Sequence, residues 1–166
     1  MGGQHGTAPQ DFVEMNETLT DTAPTAAGET ATSEGVFTIA PQVRQAMIEH
    51  ALAEVPDEAC GLLAGGDGRA ERFFAMENAD HSPMTFRLDP NEQLKVFNQI
   101  DDLGLDLVGI FHSHTHTEAY PSATDRRLAF YPEARYVLVS VDGSEPVLRA
   151  FTIRDGEVKE QEVRFE

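Results

Sequence analysis

Prolines open the two long helical stretches of this chain, and most of what lies outside them reads as strand. Pro41 suits the first turn of a helix, and Val43, Met47, Ile48, Ala51, Leu52 and Val55 recur at helical spacing until Pro56 ends it. Asp89-Pro90-Asn91-Glu92 supplies an N-cap, a proline at the first helical position and an acid at the third. Leu94, Phe97, Ile100 and Leu103 are the expected buried stripe of that second helix, and Gly104 closes it. Elsewhere the apolar segments are short and bounded by turn residues. They predict strands at 36–39, 60–64, 69–76, 105–111, 135–141, 146–154 and 158–165, with turns at Gly65-Gly66-Asp67-Gly68, Asp142-Gly143 and Asp155-Gly156. Ser122 can cap a short helix over roughly 123–130. The order β-α-β-β-α-β-α-β-β-β predicts an α/β (α+β mixed) fold, a mixed sheet flanked by helices rather than a doubly wound parallel sheet.

Residues 1–35 stand apart. They are rich in Thr, Ala, Gly and Glu, hold no Lys or Arg and contain few large apolar side chains. Such a segment buries too little surface to offset its ordering entropy, so a disordered acidic N-terminal tail is expected, with one folded domain over 36–166. The island Phe12, Val13 and Met15 is the tail's candidate partner-binding element. The formal net charge of −17 makes nucleic acid and anionic membranes poor partners. No apolar run of membrane-spanning length and no secretory signal is present, so a cytoplasmic location is the expectation. Lys95 and Lys159 are the only lysines, a bias that fits a GC-rich genome or a salty cytoplasm equally. Cys60 is the single cysteine, which excludes an internal disulfide and a multi-cysteine zinc cage. It lies in an apolar run and reads as core rather than as a nucleophile.

The segment Phe111-His112-Ser113-His114-Thr115-His116-Thr117 carries three of the six histidines. In extended backbone, His112 and His114 point to one face with Cα atoms roughly 6.5–7 Å apart, a gap that two bonds to one metal can bridge. A loop can bring Asp125 back as a third ligand. Two imidazoles and a carboxylate form a common catalytic zinc set, with water in the remaining position. His-x-His alone is also compatible with a polar strand end. His116 continues the alternation and is a competitor for Asp125, unless a loop begins near Thr115.

The fuller pattern, His112-Ser113-His114, seven residues, Ser122, two residues, Asp125, resembles the signature of the JAMM (MPN+) metallopeptidases at every fixed position. Pro56-Asp57-Glu58-Ala59-Cys60-Gly61-Leu62-Leu63-Ala64-Gly65 resembles that family's upstream glutamate element. The resemblance extends from about Val36 to the C-terminus and is closest to the family's bacterial Mec-type branch. It implies an MPN/JAMM-like sheet with cytidine-deaminase-like layering. One Zn2+ per chain would be held by His112, His114 and Asp125, with Glu58 as general acid/base and Ser122 stabilising the oxyanion. Ser122 reads equally as a helix cap. Asp57 is the neighbouring rival of Glu58, sent to the opposite side by strand alternation. Phe86, Arg87 and Tyr120 are candidates to line a substrate groove, with Arg87 meeting a carboxylate on the leaving amino acid.

The implied substrate is a small ubiquitin-like sulfur-carrier protein with a C-terminal Gly-Gly, cut after its terminal glycine to release an attached cysteine. Trimming of a carrier's C-terminal extension and cleavage of a lysine isopeptide are the alternatives. A homodimer is left open. A non-catalytic scaffold of this fold would lack the ligands that this chain keeps. Zinc deaminases are excluded because they need a Pro-Cys-x-x-Cys element.

Overall fold

The computed structural model describes residues 35–166. The expected N-terminal tail, with its Phe12, Val13 and Met15 island, therefore lies outside the described residues, except for Gly35. The elements are β1 (Val36–Ile39), α1 (Pro41–Glu54), β2 (Cys60–Gly66), β3 (Arg69–Met76), α2 (Pro90–Asp102), β4 (Asp106–His114), α3 (Ala123–Arg127), β5 (Arg135–Ser140), β6 (Val147–Arg154) and β7 (Glu157–Phe165). Their order is the one the sequence predicts.

The turn chemistry explains the two tight hairpins. Asp67 and Gly68 have φ of 52° and 72°, and Asp155 and Gly156 have 52° and 77°. Two successive left-handed residues give the twist that antiparallel strands need, and Asp-Gly adopts it at low cost. The first turn is shorter than predicted, because Gly65 and Gly66 belong to β2. A bulge falls at Ala64/Gly65, and a Cβ on Gly65 would collide with the Arg69 carbonyl oxygen, so only glycine permits that approach.

The seven strands form one mixed sheet in the order β1-β3-β2-β4-β5-β6-β7, closed into a barrel by β1. β1 runs parallel to β7 over Val36–Ile39 and parallel to β3 at Thr38 and Ile39 only. The other parallel pair is β4/β5; the rest are antiparallel. Closure by so short a first strand was not legible in its sequence.

Alternation divides the apolar residues between two cores. Leu62, Ile110 and Leu138 pack with Val96, Phe97 and Ile100 of α2. Their neighbours Leu63, Phe111, Val137 and Val139 pack with Val43, Met47 and Ala51 of α1. The two helices therefore cover opposite faces of the sheet, the layering expected of the fold.

Both helical stripes differ from the prediction. Leu52 of α1 and its C-cap Val55 are about half exposed, and Leu94 of α2 and its C-cap Leu103 are exposed as well. The buried positions of α2 are Gln93, Val96, Phe97 and Ile100, a true i, i+3, i+4, i+7 set. Gln93 is taken inside because its amide donates to the Tyr131 hydroxyl at 3.1 Å. Asp89 caps α2 as predicted, its carboxylate accepting the Glu92 N–H at 3.0 Å. α3 stops at Arg127, short of Phe130. Among the described residues no helix is long and apolar enough to cross a membrane.

Candidate metal centre

β4 is apolar through Phe111 and then carries the two histidines, so the predicted strand is longer by the residues that matter most. Pairing with β5 continues through His112↔Leu138 and His114↔Ser140, which holds both residues in extended backbone. Their rings share the face of Ile110, and the Nε2 atoms lie 3.2 Å apart. The chain then turns through 115–122, and α3 returns Asp125 to the same point. Asp125 Oδ2 is 3.1 Å from His112 Nε2 and 3.2 Å from His114 Nε2. Among the described residues this is the one group of at least three potential ligand side chains, with ligand atoms within 4.8 Å of one another. It sits where parallel strands β4 and β5 end and α3 crosses between them, a usual location for ligand sites in sheets of this kind.

Local bonds aim each candidate ligand. Ser122 and Asp125 form a capping box: Ser122 Oγ accepts the Asp125 N–H at 3.0 Å, and the Ser122 N–H donates to Asp125 Oδ2 at 2.9 Å. Ser122 is thus the helix cap that its sequence position predicts, and the cap leaves its hydroxyl proton unused. His114 Nδ1 donates to the Glu118 carbonyl at 2.8 Å, with Thr117 Oγ1 at 3.1 Å. That bond puts the ring proton on Nδ1 and leaves the Nε2 lone pair facing Asp125. A lone pair and a carboxylate oxygen at 3.2 Å repel each other unless positive charge lies with them. A divalent cation bound by all three atoms satisfies the arrangement, and the donor set suits one.

His112 is held differently. Its Nδ1 is buried and has no hydrogen-bond partner. Phe86 instead stacks on the ring, with centroids 4.4 Å apart. Burial lowers the His112 pKa and keeps the ring neutral, the state a ligand needs. At Asp125 burial opposes ionisation, but the two imidazoles beside it and the Ser122 amide outweigh burial and hold the carboxyl far below its ordinary range.

Glu58 lies just before β2, 4% exposed, and its Oε1 has no partner. Burial pushes its pKa up to about 8; nearby His114 works to lower it and Asp125 to raise it. Both influences put the carboxyl within the field of the cluster. Asp57, its sequence rival, is only half-buried.

The remaining candidates divide clearly. The strand ends at His114, and His116 is exposed, its Nδ1 paired with Thr115 Oγ1 at 2.7 Å rather than with the cluster. Arg87 is bonded to Asp80 at 3.1 Å. Tyr120 packs edge-on against Phe151. Cys60 is fully buried, and burial raises its thiol pKa to about 12. Three contributors escaped the sequence reading. Glu118 acts through its backbone carbonyl, Ser113 through bonds to Ala59, and Asn78 through bonds to Glu58 and the loop after β3. No periodicity marks such residues; only the Asn-Ala-Asp turn chemistry at 78–80 gave any signal.

Comparison with known proteins identifies the family. Residues 40–154 match the family described as prokaryotic homologs of the JAB domain. The chain is 50% identical over 131 residues to the CysO-cysteine peptidase of Mycobacterium tuberculosis, covering 77% of this chain and 90% of that one. It is 35% identical over 115 residues to the desampylase of Haloferax volcanii, covering 64% of this chain and 82% of the relative. Among solved structures, a protein of Desulfitobacterium hafniense superposes with a TM-score of 0.72 at 39% identity, covering 79% of this chain and 92% of that one.

Proposed function

The chain belongs to the prokaryotic JAB-domain family and is a peptidase with a metal cofactor; from that premise we propose that it cleaves the amide bond after the C-terminal glycine of a small ubiquitin-like sulfur-carrier protein, using one zinc ion and releasing cysteine from a carrier–cysteine adduct. The observation that carries the proposal is the convergence of His112 Nε2, His114 Nε2 and Asp125 Oδ2 in the field of a buried carboxyl, Glu58. Half-identity to a peptidase named for CysO-cysteine supports the choice of substrate.

In this reading His112, His114 and Asp125 hold the zinc. Bound there, the ion would supply Lewis acidity and lower the pKa of water toward neutrality. Glu58, buried beside the cluster, takes the proton of the attacking water as a carboxylate, the form that a cation held there would favour. It then returns a proton to the departing amine of cysteine, so one carboxyl serves as base and then as acid. The Ser122 hydroxyl accepts from the Asp125 amide and keeps its own proton free, which it donates to the developing oxyanion. The Glu118 carbonyl holds the His114 ring in its ligating tautomer throughout.

Intact mass tests the proposal. A Gly-Gly-ending carrier with one added C-terminal cysteine should lose that residue with the wild type and keep it with Glu58→Gln. No loss, from protein shown to hold one zinc, would overturn the cysteine-release reading. The similarity to a desampylase favours a lysine isopeptide as the second substrate class, and the same assay on a carrier–lysine conjugate decides between them.

A further inference from the structure

We infer that Asn78 is a positioning residue for the reaction, holding the Glu58 backbone to the loop that follows β3; this rests on the role proposed for Glu58. Glu58 precedes the regular ladder of β2, which begins at Cys60, so neighbouring strands alone do not fix it. Its peptide groups are held from the side instead. The Glu58 N–H donates to the Ser82 carbonyl at 2.9 Å, and the Glu58 carbonyl accepts from Asn78 Nδ2 at 3.1 Å.

The same amide organises the loop. Asn78 Nδ2 also donates to the Thr85 carbonyl at 2.9 Å and lies 3.4 Å from the Ser82 carbonyl. Its Oδ1 accepts the N–H groups of Asp80 at 2.9 Å and Arg87 at 3.1 Å. The side chain is 2% exposed, so water does not stand in for any of these bonds. A donor end facing three carbonyls and an acceptor end facing two amides require a primary amide; a carboxylate of the same shape has no proton to donate. The connection thus runs from Glu58 through one side chain to a loop whose Phe86 lies on His112. Ser113 pins the next residue from the other side, its Oγ accepting the Ala59 N–H at 2.7 Å. Without the Asn78 amide, Glu58 keeps its chemistry and loses its fixed starting point, and small misplacements of a reacting group are costly.

The test compares metal-loaded wild type, Asn78→Asp and Glu58→Gln on the carrier–cysteine adduct, with rates counted per bound metal and per folded chain. For Asn78→Asp the expected result is a kcat lower by about tenfold to a hundredfold. KM should stay within about twofold, because the substrate contacts are untouched. Should Asn78→Asp fail to fold, Asn78→Ser removes the amide while leaving a small neutral side chain, and the same split is expected. Full kcat per bound metal in the Asn78 variants, beside an inactive Glu58→Gln, overturns the positioning role and leaves the role of Glu58 intact. A raised KM at unchanged kcat also overturns it, by assigning the loop to substrate binding. An active Glu58→Gln removes the premise and the inference together.

Discussion

Phe86 lies nearly flat on His112, its plane tilted 18° from the imidazole. The contact takes the place of the hydrogen bond that His112 Nδ1 lacks. A ring with no polar partner beyond the ligand cluster is oriented by a flat apolar wall instead, and Phe86→Leu would keep the cover but lose the plane. Metal affinity should fall by about tenfold to a hundredfold, as it does when outer partners of a ligand are removed. Competition against a chelating dye checks this; an unchanged dissociation constant would show that the stacking is incidental.

Ser122 carries two duties that substitution can separate. Ser122→Ala should lose about 1 kcal/mol of stability with the cap, and Ser122→Gly only a few tenths. If the hydroxyl also serves the oxyanion, both variants should lose about 100-fold or more in kcat. Chemical denaturation and turnover on the same preparations decide the point. A glycine variant with normal kcat would leave the cap as the serine's only role.

Glu58 predicts a pH dependence in the chelated, metal-free protein. Its pKa is raised from 4.5 to about 8 by burial. Between those values the unfolded chain has released a proton that the native chain keeps, so rising pH favours unfolding. The stabilisation is complete below about pH 4.5 and is lost as pH climbs through about 8. Urea midpoints across this window should fall more steeply for wild type than for Glu58→Gln. Parallel curves would place the buried proton elsewhere.

Cys60 should be inert. Its thiol is fully buried and its pKa raised to about 12, so the folded protein should resist thiol reagents until it unfolds. Cys60→Ala should keep kcat and cost stability only. Rapid labelling of the native protein, followed by loss of turnover, would contradict this.

What the sequence revealed and what it withheld divide along a physical line. Alternation in β4 and the cap at Ser122 are local rules, so His112, His114 and the start of α3 were readable in a few adjacent residues. A loop able to return Asp125 was readable too, the family resemblance added Glu58, and the folded chain brings the two histidines and Asp125 to one point. The stripe of α2 was misread because apolar character was followed where geometry ruled: Gln93 is buried by a bond to Tyr131, thirty-eight positions away. Asn78, Ser113 and the Glu118 carbonyl escaped for the same reason. Each acts through a backbone group distant in sequence or through a carbonyl that every residue has.

α3 spans only Ala123–Arg127 and has no buried residue of its own. A helix that short does not persist in isolation. Its order derives from Asp125, whose one oxygen meets both histidines and the Ser122 amide. That carboxylate is a cross-link between β4 and the crossover to β5, and a cation bound there would share its hold. Amide-exchange protection of the crossover should therefore report on metal occupancy, making local unfolding and ion release two views of one equilibrium.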